Sequence, residues 1–366
     1  MALTKTAPQL PETQTAIVAD GSGNLIVAQH VPLPALEPDM LLVKTVVVAL
    51  NPSDAKFTGA MAAEGATAGS DCAGIVVGIG SAVKSAGRFS IGDRVCAPVA
   101  PMDPLAPRSG TFANYAAVAA DLTLKVPGDM PLESAAGLGT SLTTIGYALF
   151  RSLSIPGHPD RLSTKPAVVL VYGGSSATGT MAIQLIRRSG CIPIATCSPH
   201  NFALVKSYGA AEAFDYHDPG SVDSIKAYTG NALDFALDCV CQGSSMKFCY
   251  AAIGRAGGRY TTLEPFPQNM HTRKRVKPDW LLGAALLGRE IGWEEPYHVE
   301  ADPELRQFGR GWILCAQHLL DCGDIKPHPV RVGAEVGLEP VLEGIELLRQ
   351  KAVSGEKLVY RIAKEE

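Results

Sequence analysis

No apolar run in this sequence is long enough to cross a bilayer, which takes about 20 residues. The stretch MLLVKTVVVAL is interrupted by Lys44, and WLLGAALLG is too short. The opening MALTKTAPQLPETQ lacks the apolar segment of a secretory signal. The final YRIAKEE is neither a peroxisomal tripeptide nor a prenylation box. Positive charge is not in excess either. The net charge is −4, which argues against nucleic acid or an anionic membrane as a partner. Nine cysteines are present, an odd count without framework spacing and without a Cys-x-x-Cys pair. A disulfide scaffold is therefore not expected; a reduced, cytoplasmic compartment is. The cysteines themselves read as small buried hydrophobes. No internal repeat or low-complexity tract stands out.

What is there is the composition of a soluble globular protein, 46% hydrophobic and 19% charged. At 366 residues the chain is too long for one small core, so two domains are expected. Up to about Pro131 it is rich in short β-branched runs separated by Gly, Pro, Asn and Asp, among them MLLVKTVVVALNPSD, SDCAGIVVGIG and GDRVCAPVA. That spacing suits a compact, barrel-like β domain. GSAVKSAGRFSIGDRV reads as turn residues between two of these strands. From Pro131 the segment PLESAAGLGTSLTTIGYALFRSL reads as helix, and SIPGHPDRLSTKP as a connector. From Ala167 strands alternate with helices, starting with AVVLVYGG, an apolar run of the kind buried on both faces. Such alternation predicts a doubly wound parallel sheet. The late stretch GEKLVYRIA reads as a strand returning to the β domain.

The turn after AVVLVYGG is the first chemical signal. It reads Gly173-Gly174-Ser175-Ser176-Ala177-Thr178-Gly179 and leads into a helix over Thr178–Ser189. Glycines permit tight backbone geometry, and a helix N-terminus offers N–H groups to a pyrophosphate. Ser176 stands where a middle glycine would be. After the second strand an NAD site usually carries an acidic residue, about 20 residues beyond the glycines, for the ribose hydroxyls. This chain has TCSPHN there, with Ser198, His200 and Asn201, and Lys206 follows one turn later. Hydroxyl, amide and cationic groups bond a 2′-phosphate that a carboxylate would repel, so NADPH is the expected cofactor.

A β domain followed by a nucleotide-binding sheet resembles the medium-chain dehydrogenase/reductase superfamily. Zinc-dependent members hold the metal with a Cys and with the His of a Gly-His-Glu motif. Here LNPSDAK puts Asn51 at the first position and GSDCAG stands at the second. A zinc site needs three or four suitable ligands, so no metal is expected. NPSDAK, the long stretch from LVYGGSSATGT to LVKSYGA, FCYAAIGRAGGRY and SGEKLVYR further resemble the trans-acting enoyl reductases of fungal iterative polyketide synthases. The resemblance spans essentially the whole chain.

The resemblance implies an α/β protein. A GroES-like β-barrel-type domain would occupy residues 1–150, completed by 325–366, and a Rossmann NADPH-binding domain 151–324. It implies reduction of an α,β-unsaturated acyl thioester carried by the acyl carrier protein domain of a highly reducing polyketide synthase or a polyketide–peptide hybrid synthase. Cofactor contacts carried over by resemblance fall at Ser53, Asp54, Ala55 and Lys56, at Ser175, Ser176, Ala177 and Thr178, at Ser198, Pro199, His200 and Asn201, and at Tyr216, Leu263, Glu264, Val353 and Ser354. The acyl chain would lie along Thr140, Ser141, Leu142, Thr143, Thr144, Ile145, Gly146 and Tyr147, and against Trp280–Gly283. The hydroxyls of Thr140 and Ser141 are expected to shape that pocket. Lys56 is the candidate proton donor, as a lysine whose pKa shifts readily when buried; the alternative is that it binds only the cofactor and solvent gives the proton. HTRKRVKP groups Arg273, Lys274, Arg275 and Lys277, either a docking patch for an acidic carrier protein or a solvated loop. Carrier docking favours a monomer. Two other readings fit the same cofactor: a zinc-free quinone or enone reductase acting on free small molecules, and a non-catalytic NADPH-binding protein.

Overall fold

The computed structural model describes residues 10–365. Residues 1–9, part of the segment read above as lacking a signal, and Glu366 lie outside them. The chain divides into two compact units. The first gathers Met1–Thr143, Ala284–Cys322 and Lys326–Glu366; the second gathers Thr144–Gly283 and Gly323–Ile325.

The first unit opens with an antiparallel hairpin, β1 (Thr13–Ala19) and β2 (Leu25–Pro32). The Asp20 carboxylate closes the turn between them by accepting from the backbone N–H groups of Ser22 and Asn24. Strands β3 (Met40–Ala49), β4 (Asp71–Ile79), β5 (Arg94–Pro98), β6 (Tyr115–Ala119) and β7 (Leu124–Lys125) follow. A short helix α1 (Ser81–Ala86) lies in the segment expected to be turn only, and it ends on Gly87 in the left-handed region. The expected long helix after Pro131 is broken in two at Ala136–Gly137, giving α2 (Leu132–Ala135) and α3 (Leu138–Tyr147).

In the second unit β8 (Val168–Tyr172), α4 (Ala177–Arg188), β9 (Ile192–Thr196), α5 (Phe202–Ser207), β10 (Glu212–Phe214), α6 (Ser221–Tyr228), β11 (Phe235–Asp238), α7 (Gly243–Ala252), β12 (Gly258–Thr262) and β13 (Val276–Trp280) alternate as predicted. They form one parallel sheet in the order β10-β9-β8-β11-β12-β13. The order reverses at β8, so ligands are expected beyond the carboxyl ends of β8 and β11. The HTRKRVKP segment leads into the edge strand β13 and overlaps its first three residues, 276–278.

The chain then returns to the first unit through α8 (Pro303–Asp321), β14 (Val330–Val332), α9 (Glu339–Arg349) and β15 (Lys357–Arg361). Strand β15 pairs antiparallel with β3, as expected for GEKLVYRIA. Residues 284–322 were expected in the nucleotide unit and residues 144–150 in the first; the structure groups 284–322 with the first unit and 144–150 with the second. The reason for the placement of 284–322 is packing: α8 buries Leu305, Trp312, Ile313 and Leu319. Trp312 Nε1 donates to Leu142 O at 2.7 Å, and Gln317 bonds the backbone of Lys125 through both its amide atoms. Among the described residues no helix is long and apolar enough to cross a membrane.

Candidate active site

The residues predicted for the cofactor in the second unit collect at one edge of its sheet. Ser175, Ser176, Ala177 and Thr178 follow β8; Ser198, Pro199, His200 and Asn201 follow β9; Tyr216 follows β10; Leu263 and Glu264 follow β12. The glycine turn is built for close approach. Gly173 adopts φ +79°, and its N–H and that of Gly174 are pinned to Thr196 of β9. A Cβ on Gly174 would sit 2.6 Å from Ala195 Cβ, and one on Gly179 would collide with the carbonyl oxygen of Gly173. Ser176 is the N-cap of α4. Its Oγ accepts from Gly179 N at 3.1 Å and donates to Gly173 O at 2.8 Å. Its hydroxyl is thus engaged within the turn, which explains why serine replaces glycine there. The first-turn N–H groups of α4 are those a helix leaves without internal partners, and Ser175, Ala177 and Thr178 are half-buried around them. These residues fit a pyrophosphate.

Beyond β9, Ser198 Oγ lies 3.2 Å from the Tyr216 hydroxyl, and Asn201 Nδ2 lies 3.2 Å from His200 Nε2. Lys206 was expected to help here. It instead pairs with Glu212 at 2.7 Å on the surface.

Sequence reasoning missed the loop after β11. Asp238, buried at the end of that strand, accepts from the N–H groups of Val240 and Cys241, from Ser245 Oγ and from the Tyr260 hydroxyl. This fixes Cys239, Val240 and Cys241 at the same sheet edge, with Val240 Cγ2 2.7 Å from where a Gly173 Cβ would lie. Cys239 and Cys241 are half-buried and Cys322 is exposed, so not all nine cysteines are core residues. The signal that would have found the loop is its place after the fourth strand of a sheet that reverses order at the first.

In the first unit, residues 51–57 form a tight turn. Ser53 and Ala55 are half-buried, and Lys56 is exposed rather than buried against an apolar wall as expected. Asp54 is buried. Its carboxylate accepts from Asn51 N and from Ser70 Oγ, both at 2.7 Å. Burial pushes it up to about 6 against the pull of those bonds. Its side chain ties the turn together, so only its backbone remains for a ligand. Arg349, at the end of α9, donates to Ala55 O at 3.3 Å; Val353 and Ser354 follow in the loop before β15.

Along α3, Leu142 and Ile145 are fully buried. Ser141 Oγ donates to Gly137 O and Thr143 Oγ1 to Gly139 O. These hydroxyls back-bond to their own helix. Thr144 and Gly146 are buried, whereas Thr140 and Tyr147 are half-buried. In the Trp280–Gly283 segment, Leu281 is buried.

Asn51, Ser70 and Asp71, where zinc-dependent relatives would carry metal ligands, form a buried polar cluster. Asn51 Nδ2 donates to Asp71 Oδ2 at 2.9 Å, and Lys357 Nζ lies 3.7 Å from that oxygen. The set does not fit zinc. It offers one amide, one hydroxyl and one carboxylate where thiolate and imidazole are usual, and an ammonium already faces the carboxylate.

The basic segment divides by role. Arg273 donates to the carbonyl oxygens of Tyr250, Ile253 and Gly254 at 2.5, 2.7 and 2.6 Å, so it clamps the end of α7. Lys274, Arg275 and Lys277 are exposed.

Comparison with known proteins agrees with this geometry. A family profile described as alcohol dehydrogenase GroES-like domain matches residues 37–128, and one described as zinc-binding dehydrogenase matches residues 177–265. The class is thus an oxidoreductase of the medium-chain dehydrogenase/reductase superfamily, whose reductases generally depend on NAD(P). Trans-enoyl reductase FSL5 of Gibberella zeae is 53% identical over 353 residues, covering 96% of this chain and 98% of that protein. Trans-enoyl reductase pvhC of Talaromyces variabilis is 48% identical over 348 residues, 95% of this chain and 97% of that protein. The chain belongs to the trans-enoyl reductase family and acts on a carbon–carbon double bond. The solved structure of CurK enoyl reductase shares its fold, with a TM-score of 0.73 at 17% identity over 96% of this chain and 99% of that one.

Proposed function

We propose that this chain is a cytoplasmic, zinc-independent, NADPH-dependent enoyl reductase. It reduces an α,β-unsaturated acyl thioester on the acyl carrier protein domain of a partner polyketide synthase or polyketide–peptide hybrid synthase, and it acts as a monomer. The observation that carries the cofactor choice is the segment after β9, where Ser198 Oγ lies 3.2 Å from the Tyr216 hydroxyl and residues 197–201 include no acidic side chain. The identity to trans-enoyl reductases over nearly the full chain supports the substrate class.

NADPH, when bound, supplies hydride to the β-carbon of the enoyl group. The N–H groups opening α4 bind the pyrophosphate. Ser198, His200 and Tyr216 hold the 2′-phosphate through hydroxyl and imidazole donors. The thioester carbonyl takes up the developing negative charge as an enolate, and Lys56 returns a proton to the α-carbon. The exposed Lys274, Arg275 and Lys277 meet an acidic carrier domain by charge complementarity.

The test is oxidation of NADPH with an α-methyl enoyl pantetheine thioester, run beside NADH and beside a simple quinone. Thioester-dependent turnover with NADPH preferred is expected. Turnover of the quinone alone would overturn the proposal in favour of a detoxifying reductase. NADPH binding without turnover of either, with the partner synthase present, would favour a non-catalytic role.

A further inference from the structure

Lys357 opens β15 with only 6% of its side chain exposed. Its Nζ donates to Asn51 Oδ1 at 2.6 Å and faces Asp71 Oδ2 at 3.7 Å. Asp71, with no exposed side-chain surface, also accepts from Asn51 Nδ2 and, through Oδ1, from the backbone N–H of Thr140 at 2.8 Å. Asn51 N bonds Asp54, which bonds Ser70. One buried cation therefore joins the 51–57 turn, the start of β4, the start of α3 and β15.

The chain makes room for this lysine. A Cβ on Gly137, at the break between α2 and α3, would lie 2.5 Å from Lys357 Cδ and 2.6 Å from its Cε. A buried ion pair of this kind adds little net stability over apolar residues of the same volume. Its geometry is the better clue to its use. The segments it joins carry Ser53, Lys56 and Thr140.

We propose that Lys357 is a positioning residue of the reduction: its buried ammonium locks the Lys56 turn and the Thr140 end of α3 into one arrangement through Asn51 and Asp71. This rests on the enoyl reductase reading above. Lys357 touches neither substrate nor cofactor and acts through the turn.

Lys357→Met alone leaves the Asp71 carboxylate buried without its cation and is a poor test of anything but folding. The Lys357→Met/Asp71→Asn double variant removes both charges together. The measurements are its melting temperature, its NADPH dissociation constant, kcat and KM with the enoyl pantetheine thioester, and the isotope effect on kcat with NADPH deuterated at the transferred position. A folded double variant should keep most of its NADPH affinity, since the phosphates are held by the second unit, and lose only what the 51–57 turn contributes. Its kcat should fall about 10²-fold, the scale of a small misplacement of reacting groups. The isotope effect should rise as hydride transfer becomes limiting. Gly137→Ala, which pushes a methyl into the lysine stem, should lower kcat in the same sense and decides the matter if the double variant does not fold. An unaltered kcat in the folded double variant, or in Gly137→Ala should the double variant not fold, would overturn the inference and leave the cluster a purely structural role. Absence of enoyl turnover in the unmodified protein would instead strike the activity reading.

Discussion

The hydroxyls of Ser198 and Tyr216 stand 3.2 Å apart, one following β9 and the other β10. Two neutral donors at this edge welcome a phosphate, and a carboxylate would repel it. Ser198→Asp should therefore lower the ratio of kcat/KM for NADPH over NADH at least about 10-fold, or about 1.4 kcal/mol. Steady-state kinetics with both cofactors checks this; an unchanged ratio would remove the phosphate from this edge.

Lys56→Met separates proton delivery from cofactor binding. As general acid, Lys56 should be worth about 10²-fold or more in kcat, with the KM for NADPH little changed. A rise in that KM at constant kcat would make solvent the proton donor and Lys56 a binding group.

The basic segment leading into β13 yields a paired prediction. Arg273→Ala leaves the Tyr250, Ile253 and Gly254 carbonyls without their clamp and should cost about 1–3 kcal/mol in urea unfolding. Lys274→Glu/Lys277→Glu should leave stability and pantetheine-thioester turnover unchanged and slow only carrier-bound substrate. Added salt should slow the unmodified protein with carrier-bound substrate alone. Equal effects on both substrates would dismiss docking through these residues.

Two buried groups of the first unit oppose one another in pH dependence. Burial raises Asp54 from 3.8 to about 6, so the folded protein takes up a proton and this contribution is lost as pH rises through about 6. Burial, with the Lys357 charge second, lowers His328 from 6.5 to about 4, so its contribution is lost as pH falls through about 4. Between about pH 4 and 6 the two slopes largely cancel. His328→Gln should leave the Asp54 slope exposed, and its urea midpoint should fall from pH 4 to 6 relative to the unmodified protein. A midpoint rising more steeply with pH than the unmodified protein's would contradict these directions.

How much of this could be read from sequence depended on the range of the interaction. The glycine turn and the alternating strands and helices are patterns over a few neighbouring residues, and they stand in the structure as read. Ser176 was visible as a departure from the glycine pattern, but its use as the cap of α4 follows only from the turn geometry. Arg273, Lys206 and Asp54 carried charges that looked available to a ligand, and each is engaged by a partner that composition does not name. The return of α8 to the first unit depends on which apolar face finds which sheet. Nothing in SGEKLVYR announces that its lysine meets Asn51, 306 positions earlier.

That separation bears on how the protein is made. Strand β3 leaves the ribosome long before its neighbour β15, and the whole parallel sheet is synthesised in between. The nucleotide unit, rich in local βα contacts, can fold while the first unit still has an open edge. Non-local pairing of this kind is slow, and an unpaired strand edge is prone to wrong partners while it waits. The turn bearing Lys56 is thus among the last parts to be completed, so a nascent or truncated chain lacking β15 would carry a finished nucleotide fold without a finished reductase.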